Sequence, residues 1–300
     1  MKKETIKDYA TLLLSEICEV TGCTEPASIA FATAKAMKVL KDAGCYVSEK
    51  NVSVRLMLSR EVYRNASTVK VPILRQKGIK PAVIGGLYGN AFTFNPFASL
   101  KKRKIREMLG LMKKENWLTV IPLEREGLYV EVEIEAEKNI SRVIIGEKHD
   151  RIKRMYLNKR IIFQEKYDEK TILKIEDLSQ IRDITRKRIP ELENIAMTFL
   201  NKQSRLIKNK SSFEVITETE RLISNRMEGC NFPVQTITGS GNQGLFISVP
   251  FYKLYLKYDE KVLPSFLFTL LTQIYLTQQR GRISSLCGLS DKSCSALVAG

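Results

Sequence analysis

Cysteines beside glycine turns are the first candidates for chemistry in this chain of 300 residues. Of the six cysteines, Cys23, Cys230 and Cys287 lie in or beside a turn marked by glycine, where thiols from distant segments can face one cavity. No Cys-x-x-Cys spacing occurs, and the single histidine, His149, is isolated, so neither a zinc ribbon nor a zinc finger has local support. Any metal site must therefore be assembled from segments that are far apart in the sequence.

The residues after Cys23 predict the start of a helix. Thr24 can act as the N-cap and Pro26 fits the first turn, and the alanine-rich run that follows is typical of a tightly packed helix. The N–H groups and the dipole at a helix start favour a thiolate and a carboxylate. Cys23 and Glu25 therefore stand where the charged forms of their side chains are stabilised.

A glycine-rich turn, Thr238-Gly239-Ser240-Gly241-Asn242-Gln243-Gly244, offers backbone donors of the kind that hold a carboxylate or a phosphate. It is not the GxGxxG pattern and it lacks the lysine of a P-loop. On the pattern alone, a plain glycine turn between helices fits equally well.

Four segments that span nearly the whole chain carry its most specific signal. They are Gly22-Cys23-Thr24-Glu25-Pro26, Tyr63-Arg64-Asn65-Ala66, Arg226-Met227-Glu228-Gly229 with Pro233-Val234 and the glycine-rich turn, and Gly281-Arg282-Ile283-Ser284-Ser285-Leu286-Cys287-Gly288. Together, and in this order, they resemble the L-cysteine desulfidase family, which is related to the α chain of iron-sulfur-dependent L-serine dehydratases. A fifth, weaker match is Ile145-Gly146-Glu147-Lys148-His149.

The resemblance implies a lyase of amino-acid catabolism that eliminates the β-substituent of L-cysteine, giving pyruvate, ammonia and sulfide, or of a similar amino acid such as L-serine. It also implies a [4Fe-4S] cluster held by three cysteine thiolates, with one iron open to act as a Lewis acid. The alternative is a catalytically degenerate relative that keeps a pocket for a small ligand.

The resemblance also assigns roles to residues. Cys23 and Cys287 match the first two cluster ligands, and His149 and Glu25 are the candidate acid and base groups. A surface histidine and a charged group at a helix start are the plain alternatives for that pair, as an exposed arginine is for Arg226. The candidate substrate-binding residues are Tyr63, Asn65, Arg226, Ser240, Gly241, Asn242 and Gln243.

The resemblance does not identify the third cluster ligand. In the family it lies well past the second ligand, whereas this chain stops at Gly300. The segment from Asp291 to Leu297 has a faint likeness to the family's later segment, so the third ligand is either Cys294 or absent. The end inside an apolar, small-residue run is typical of a C-terminally truncated chain.

The helices and strands that must position these residues are expected in a pattern that indicates an α+β fold. Helical spacing covers 5–21, which would place Cys18 on the buried face of a helix, and strict alternation from Leu128 to Glu135 predicts a hairpin with Arg142–Gly146. Helices are expected over 170–226, with Pro190 near one start, and again from about 259. We expect a mainly helical catalytic core, 1–48 and 166–300, and an α+β region, 49–165.

Charge and hydropathy restrict the classes of protein that fit this sequence. Forty-nine Lys and Arg against 33 Asp and Glu give a net charge of +16, which favours a solvated basic surface over a nucleic-acid site because no nucleic-acid motif accompanies it. Neither a signal peptide nor an apolar run of membrane-spanning length is recognisable, so a cytoplasmic protein without a membrane partner is expected. The expected partners are a small amino-acid substrate and a second copy in a homodimer.

Overall fold

The computed structural model describes residues 3–166, 173–208, 214–283 and 288–300. The chain divides into two compact units. The first, called here the helical unit, comprises Met1–Glu19, Asp168–Ser224 and Val234–Gly300. The second, the sheet unit, comprises Val20–Tyr167 and Asn225–Pro233.

The helices and strands follow one another along both units. In chain order they are α1 (Lys3–Glu16), β1 (Ile17–Thr21), α2 (Thr24–Asp42), β2 (Ser53–Ser59), α3 (Arg60–Thr68), α4 (Ile79–Tyr88), α5 (Ile105–Lys113), β3 (Leu118–Leu123), β4 (Tyr129–Ala136), β5 (Asn139–Gly146), β6 (Ile152–Leu157), β7 (Arg160–Gln164), α6 (Leu178–Thr185), α7 (Pro190–Ser204), α8 (Val215–Met227), β8 (Pro233–Ile237), α9 (Gly241–Tyr258), α10 (Leu263–Arg280) and α11 (Cys294–Ala299). Short 3-10 helices precede α5 and α10.

The sheet unit is built on a six-stranded sheet in the order β3-β2-β4-β5-β6-β7. The β2 and β3 strands are parallel, and the other neighbouring pairs are antiparallel. Residues of the central strands such as Val132 on β4 and Val143 on β5 are fully buried because α2 packs across β4, β5 and β6. The sheet thereby holds α2 along its length and fixes the N-terminal turn of that helix.

Small residues let α2 lie very close to α4. A Cβ atom added to Gly86 of α4 would come within 2.4 Å of the Ala30 carbonyl oxygen and within 2.5 Å of the Thr33 side chain. This close approach requires glycine at position 86. The alanine-rich composition of α2 therefore serves packing on more than one side.

The helical unit packs α7, α9 and α10 around an aromatic core. The Phe266 ring lies 5.9 Å from the Phe199 ring and 5.1 Å from the Phe251 ring, measured between centroids. In this unit Cys18 on β1 contacts Thr236 on β8, whose hydroxyl accepts from the Cys18 N–H at 3.2 Å. Within the described ranges, no helix is both long and apolar enough to cross a membrane.

Several predictions from the sequence are confirmed. The fold is α+β, and β4 pairs with β5 as the predicted antiparallel hairpin, with Val130 opposite Ile145. Pro190 is the first residue of α7. The larger sheet lies entirely between Ser53 and Gln164.

Three predictions about element boundaries are wrong. The helix expected over 5–21 ends at Glu16, because the next five residues form β1 and pair with β8, so the half-buried Cys18 lies on a strand. The glycine turn leads directly into α9 rather than into a helix from about 259, and α9 continues through an internal proline, Pro250. The N-cap of α2 is Cys23 and not Thr24.

Candidate active site

The turn before α2 places Cys23 at the N-terminus of a helix buried against the sheet. Cys23 has extended backbone angles, φ −70° and ψ 145°, and its carbonyl accepts the first helical hydrogen bond, from the Ala27 N–H at 3.0 Å. The residue before it, Gly22, has φ +80°, and a Cβ atom there would lie 2.5 Å from Pro72. The tight turn therefore depends on glycine and sets the direction of the Cys23 side chain.

Glu25 joins Cys23 to a second segment of the sheet unit. The Cys23 thiol donates to Glu25 Oε2 at 3.1 Å, and the Asn65 side chain of α3 donates to Glu25 Oε1 at 3.0 Å. Burial raises the pKa of Glu25, but the charge of His149 and the hydrogen bonds from Cys23, Asn65 and its own backbone N–H outweigh burial and lower the pKa. The carboxylate is thus held ionised inside the fold, where its residue is 7% exposed.

His149 completes this cluster from the turn that follows β5. Its residue is 6% exposed, and its backbone carbonyl accepts from the hydroxyl of Ser28, one turn after Glu25 on α2, at 2.7 Å. A surface location for this histidine, the alternative in the sequence analysis, is therefore wrong. The charge of the imidazole acts on the Glu25 carboxylate, and a histidine stabilised by a nearby carboxylate is suited to take a proton from a substrate and to return it.

Arg226 binds the backbone of the same turn. This residue is 1% exposed, and its Nη2 group donates to the Gly22 carbonyl oxygen at 2.5 Å. The alternative of an exposed arginine at the end of a helix is therefore wrong. A buried guanidinium on the peptide next to Cys23 fixes the turn with a charge-assisted hydrogen bond.

Tyr63 lies on the same helix as Asn65 but differs from it in exposure. Its residue is 39% exposed, and its backbone carbonyl accepts from the hydroxyl of Ser67. Of the two α3 candidates, Asn65 is thus the one whose side chain contacts the cluster of Cys23, Glu25 and His149, which we call the Cys23 cluster.

The glycine-rich turn forms a second arrangement, in the helical unit. Thr238 and Gly239 have φ of 51° and 82°, and Ser240 is the N-cap of α9, with its hydroxyl accepting from the Gln243 N–H at 3.3 Å. Gly241 is the first residue of that helix, and the next two, Asn242 and Gln243, are 6% and 2% exposed. A helix N-terminus with buried amide side chains can bind a carboxylate.

Two of the three cysteines expected to bind an iron-sulfur cluster lie among the described residues. Cys23 is buried in the sheet unit, Cys294 is an exposed cysteine at the start of α11, and Cys287 lies outside the described residues. Among the residues that the structure describes, no three His, Cys, Asp or Glu side chains come together in a way that could hold a metal ion. The described donors therefore include one buried candidate ligand, Cys23, and do not form a complete cluster site.

Three residues that hold the candidates in place were not among the predicted site residues. Ser28 holds the His149 backbone, and Thr238 and Gln273 both donate to the side-chain oxygen of Gln243. Thr238 is the first residue of the predicted glycine-rich turn, but no role was predicted for its side chain. Ser28 and Gln273 lie inside helices, where nothing in the sequence marks them.

Comparison with known proteins places the chain in a family. A family model described as the serine dehydratase alpha chain matches residues 125–300. Relatives named "UPF0597 protein" are similar over most of their length. The one from Lachnoclostridium phytofermentans is 26% identical over 97% of this chain and 75% of its own. The one from Thermosipho africanus is 28% identical over 98% of this chain and 75% of its own.

Proposed function

Because this chain belongs to the serine dehydratase alpha chain family, we propose that it is a lyase that eliminates the β-substituent of a small L-amino acid. L-Cysteine and L-serine are the proposed substrates. L-Cysteine and water would give pyruvate, ammonia and hydrogen sulfide, and L-serine would give pyruvate and ammonia. The observation that carries the proposal is the buried Cys23 cluster at the N-terminus of α2.

The cluster's own groups suit the removal of a proton. In its neutral form, His149 is the proposed base that takes the Cα proton, and the ionised Glu25 stabilises the imidazolium that forms. As the C–H bond breaks, its electron pair forms the Cα–Cβ double bond and the Cβ–S or Cβ–O bond breaks. The proton held by His149 then neutralises the departing sulfide or hydroxide, and the enamine tautomerises and is hydrolysed in water.

The remaining groups orient the substrate and the turn. Asn65 holds Glu25 at 3.0 Å, so that the carboxylate keeps one position through the proton transfer. Arg226 holds Gly22 and is also the proposed partner of the substrate carboxylate. Tyr63 and the α9 N-terminus, Ser240 to Gln243, are proposed to bind the polar groups of the amino acid.

An iron-sulfur cluster is the proposed cofactor, since the family is generally iron-sulfur related. Cys23 and Cys287 are its proposed ligands, with Cys294 as the candidate for the third. When bound, a [4Fe-4S] cluster with one open iron supplies Lewis-acid stabilisation to the substrate carboxylate and to the leaving group. The Cys23 thiol donates to Glu25, so metal binding requires that the thiol proton be released.

The proposed function is tested by product analysis on the full chain. Protein reconstituted anaerobically with iron and sulfide is incubated with L-cysteine and L-serine, and pyruvate and ammonia are measured. We expect equal amounts of both products, and a loss of at least about 100-fold in rate on His149→Gln, the range removed with a general base. Lys148→Gln, a change at the neighbouring residue, is the control and should keep its rate. Absence of pyruvate from both substrates would contradict the proposal.

A further inference from the structure

A buried glutamine outside the predicted motifs contacts the glycine-rich turn. Gln273 lies in the middle of α10 and is 0% exposed. Its Nε2 group donates to Gln243 Oε1 at 2.8 Å and to the Thr238 hydroxyl at 3.5 Å. The Thr238 hydroxyl donates to the same Gln243 oxygen at 3.0 Å, so two donors hold that one atom.

These two donors decide which end of the Gln243 amide faces which way. A side-chain amide has an oxygen that only accepts and a nitrogen that only donates, and the two ends are otherwise nearly the same shape. With Oε1 held by Gln273 and Thr238, the NH2 group is directed to the other side. It lies against Gly288, where an added Cβ atom would come within 2.7 Å of Gln243 Nε2.

The fold satisfies only the donor end of the Gln273 amide. Its Oε1 atom is buried and has no hydrogen-bond partner among the described residues. An unmet acceptor in the interior destabilises a fold, and an apolar side chain of similar volume would avoid that loss. A residue kept at such a cost is typical of a functional site.

We propose that Gln273 is a positioning residue that orients the Gln243 amide, so that its NH2 group is presented as a donor to the carboxylate of the bound amino acid. The inference rests on the proposed function, in which Gln243 binds the substrate. Gln273 itself does not touch the substrate. It acts by excluding the flipped amide, which would present an oxygen to the carboxylate and repel it.

The test is Gln273→Met, which keeps the volume and removes the donor. We expect the unfolding midpoint to stay the same or to rise, and KM for the amino acid to rise about tenfold with kcat little changed, as for a lost ground-state contact. The control is Gln278→Met on the same helix. The Gln278 side chain donates to the Leu173 carbonyl at 3.0 Å and accepts from the Ile175 N–H at 3.0 Å, so its loss should lower the midpoint and leave KM unchanged.

A second readout separates this inference from the proposed function. The side-chain NH2 signals of Gln243, identified in a nitrogen-15 correlation spectrum by their loss in Gln243→Ala, should move in Gln273→Met and stay in Gln278→Met. If the chain acts on no amino acid but the signals move, the proposed function fails and the orienting role stands. An unchanged KM in an active Gln273→Met protein, or unchanged Gln243 signals, would overturn the inference.

Discussion

Replacement of Arg226 by methionine tests how the Cys23 turn is held. The guanidinium is 1% exposed and donates to the Gly22 carbonyl at 2.5 Å. A hydrogen bond from a charged group contributes about 1.5–3 kcal/mol, and methionine fills much of the same volume without leaving a buried charge behind. We therefore expect Arg226→Met to lower the free energy of unfolding of the sheet unit by about 2–3 kcal/mol.

The single tryptophan provides the assay. Trp117 is 3% exposed and belongs to the sheet unit, so its fluorescence during urea unfolding follows the unit that contains Arg226. Arg64→Met is the matched control, because Arg64 is exposed on α3 and its loss should change stability by less than about 0.5 kcal/mol. If Arg226→Met and Arg64→Met unfold at the same urea concentration, Arg226 does not hold the turn, and the reasoning is refuted.

Two further predictions concern stability. Gly22→Ala should lower the free energy of unfolding by about 3 kcal/mol or more, because φ is +80° and the new Cβ atom would lie 2.5 Å from Pro72. The control is Gly127→Ala, with φ +77° and nothing within 4 Å, which should lose only about 1–2 kcal/mol in urea unfolding. Equal losses in the two variants would contradict the overlap with Pro72. The hydrogen bond from Arg221 lowers the pKa of Glu218 against the opposing effect of burial, so its stabilising contribution is present above the unfolded-state pKa of about 4.3 and is lost as the pH falls through the lower folded value. Glu218→Gln should therefore weaken the fall in thermal midpoint on acidification, and an unaltered pH profile would count against this ion pair.

Local patterns were sufficient to predict the largest antiparallel pairing. In β4, glutamates at 131, 133 and 135 alternate with apolar residues, and this period of two identifies a strand whatever its partner is. The paired register follows because only two residues separate the end of β4 from the start of β5. The hairpin was therefore predictable without information from distant segments.

The strand β1 could not be predicted in the same way. Its residues, Ile17 to Thr21, continue the helical spacing of α1, and the strand is selected by pairing with β8 more than 200 positions away. The contact between Cys18 and Thr236, which are 218 positions apart, is one part of that pairing. Non-local pairing overrides local propensity here.

In the candidate site, too, the local features could be predicted from the sequence and the long-range contacts could not. Cys23 and Glu25 are two positions apart, and the helix start that holds them was visible in the sequence apart from the exact N-cap. That Asn65 contacts Glu25 and that Arg226 is buried against Gly22 depend on contacts across 40 and 204 positions, so no spacing could reveal them. The burial of Gln273 could not be predicted, because a glutamine within a helix of mixed composition is ordinarily a surface residue.

The most direct test of the central claim is the rate of pyruvate formation from L-cysteine by the anaerobically reconstituted chain and by its Cys23→Ser variant. Cys45→Ser, at a half-buried cysteine that follows α2, is the matched control. The account predicts that Cys23→Ser loses activity together with its iron, about four atoms per chain when loaded, and that Cys45→Ser keeps both. A Cys23→Ser protein that forms pyruvate as fast as the unaltered chain would contradict the account.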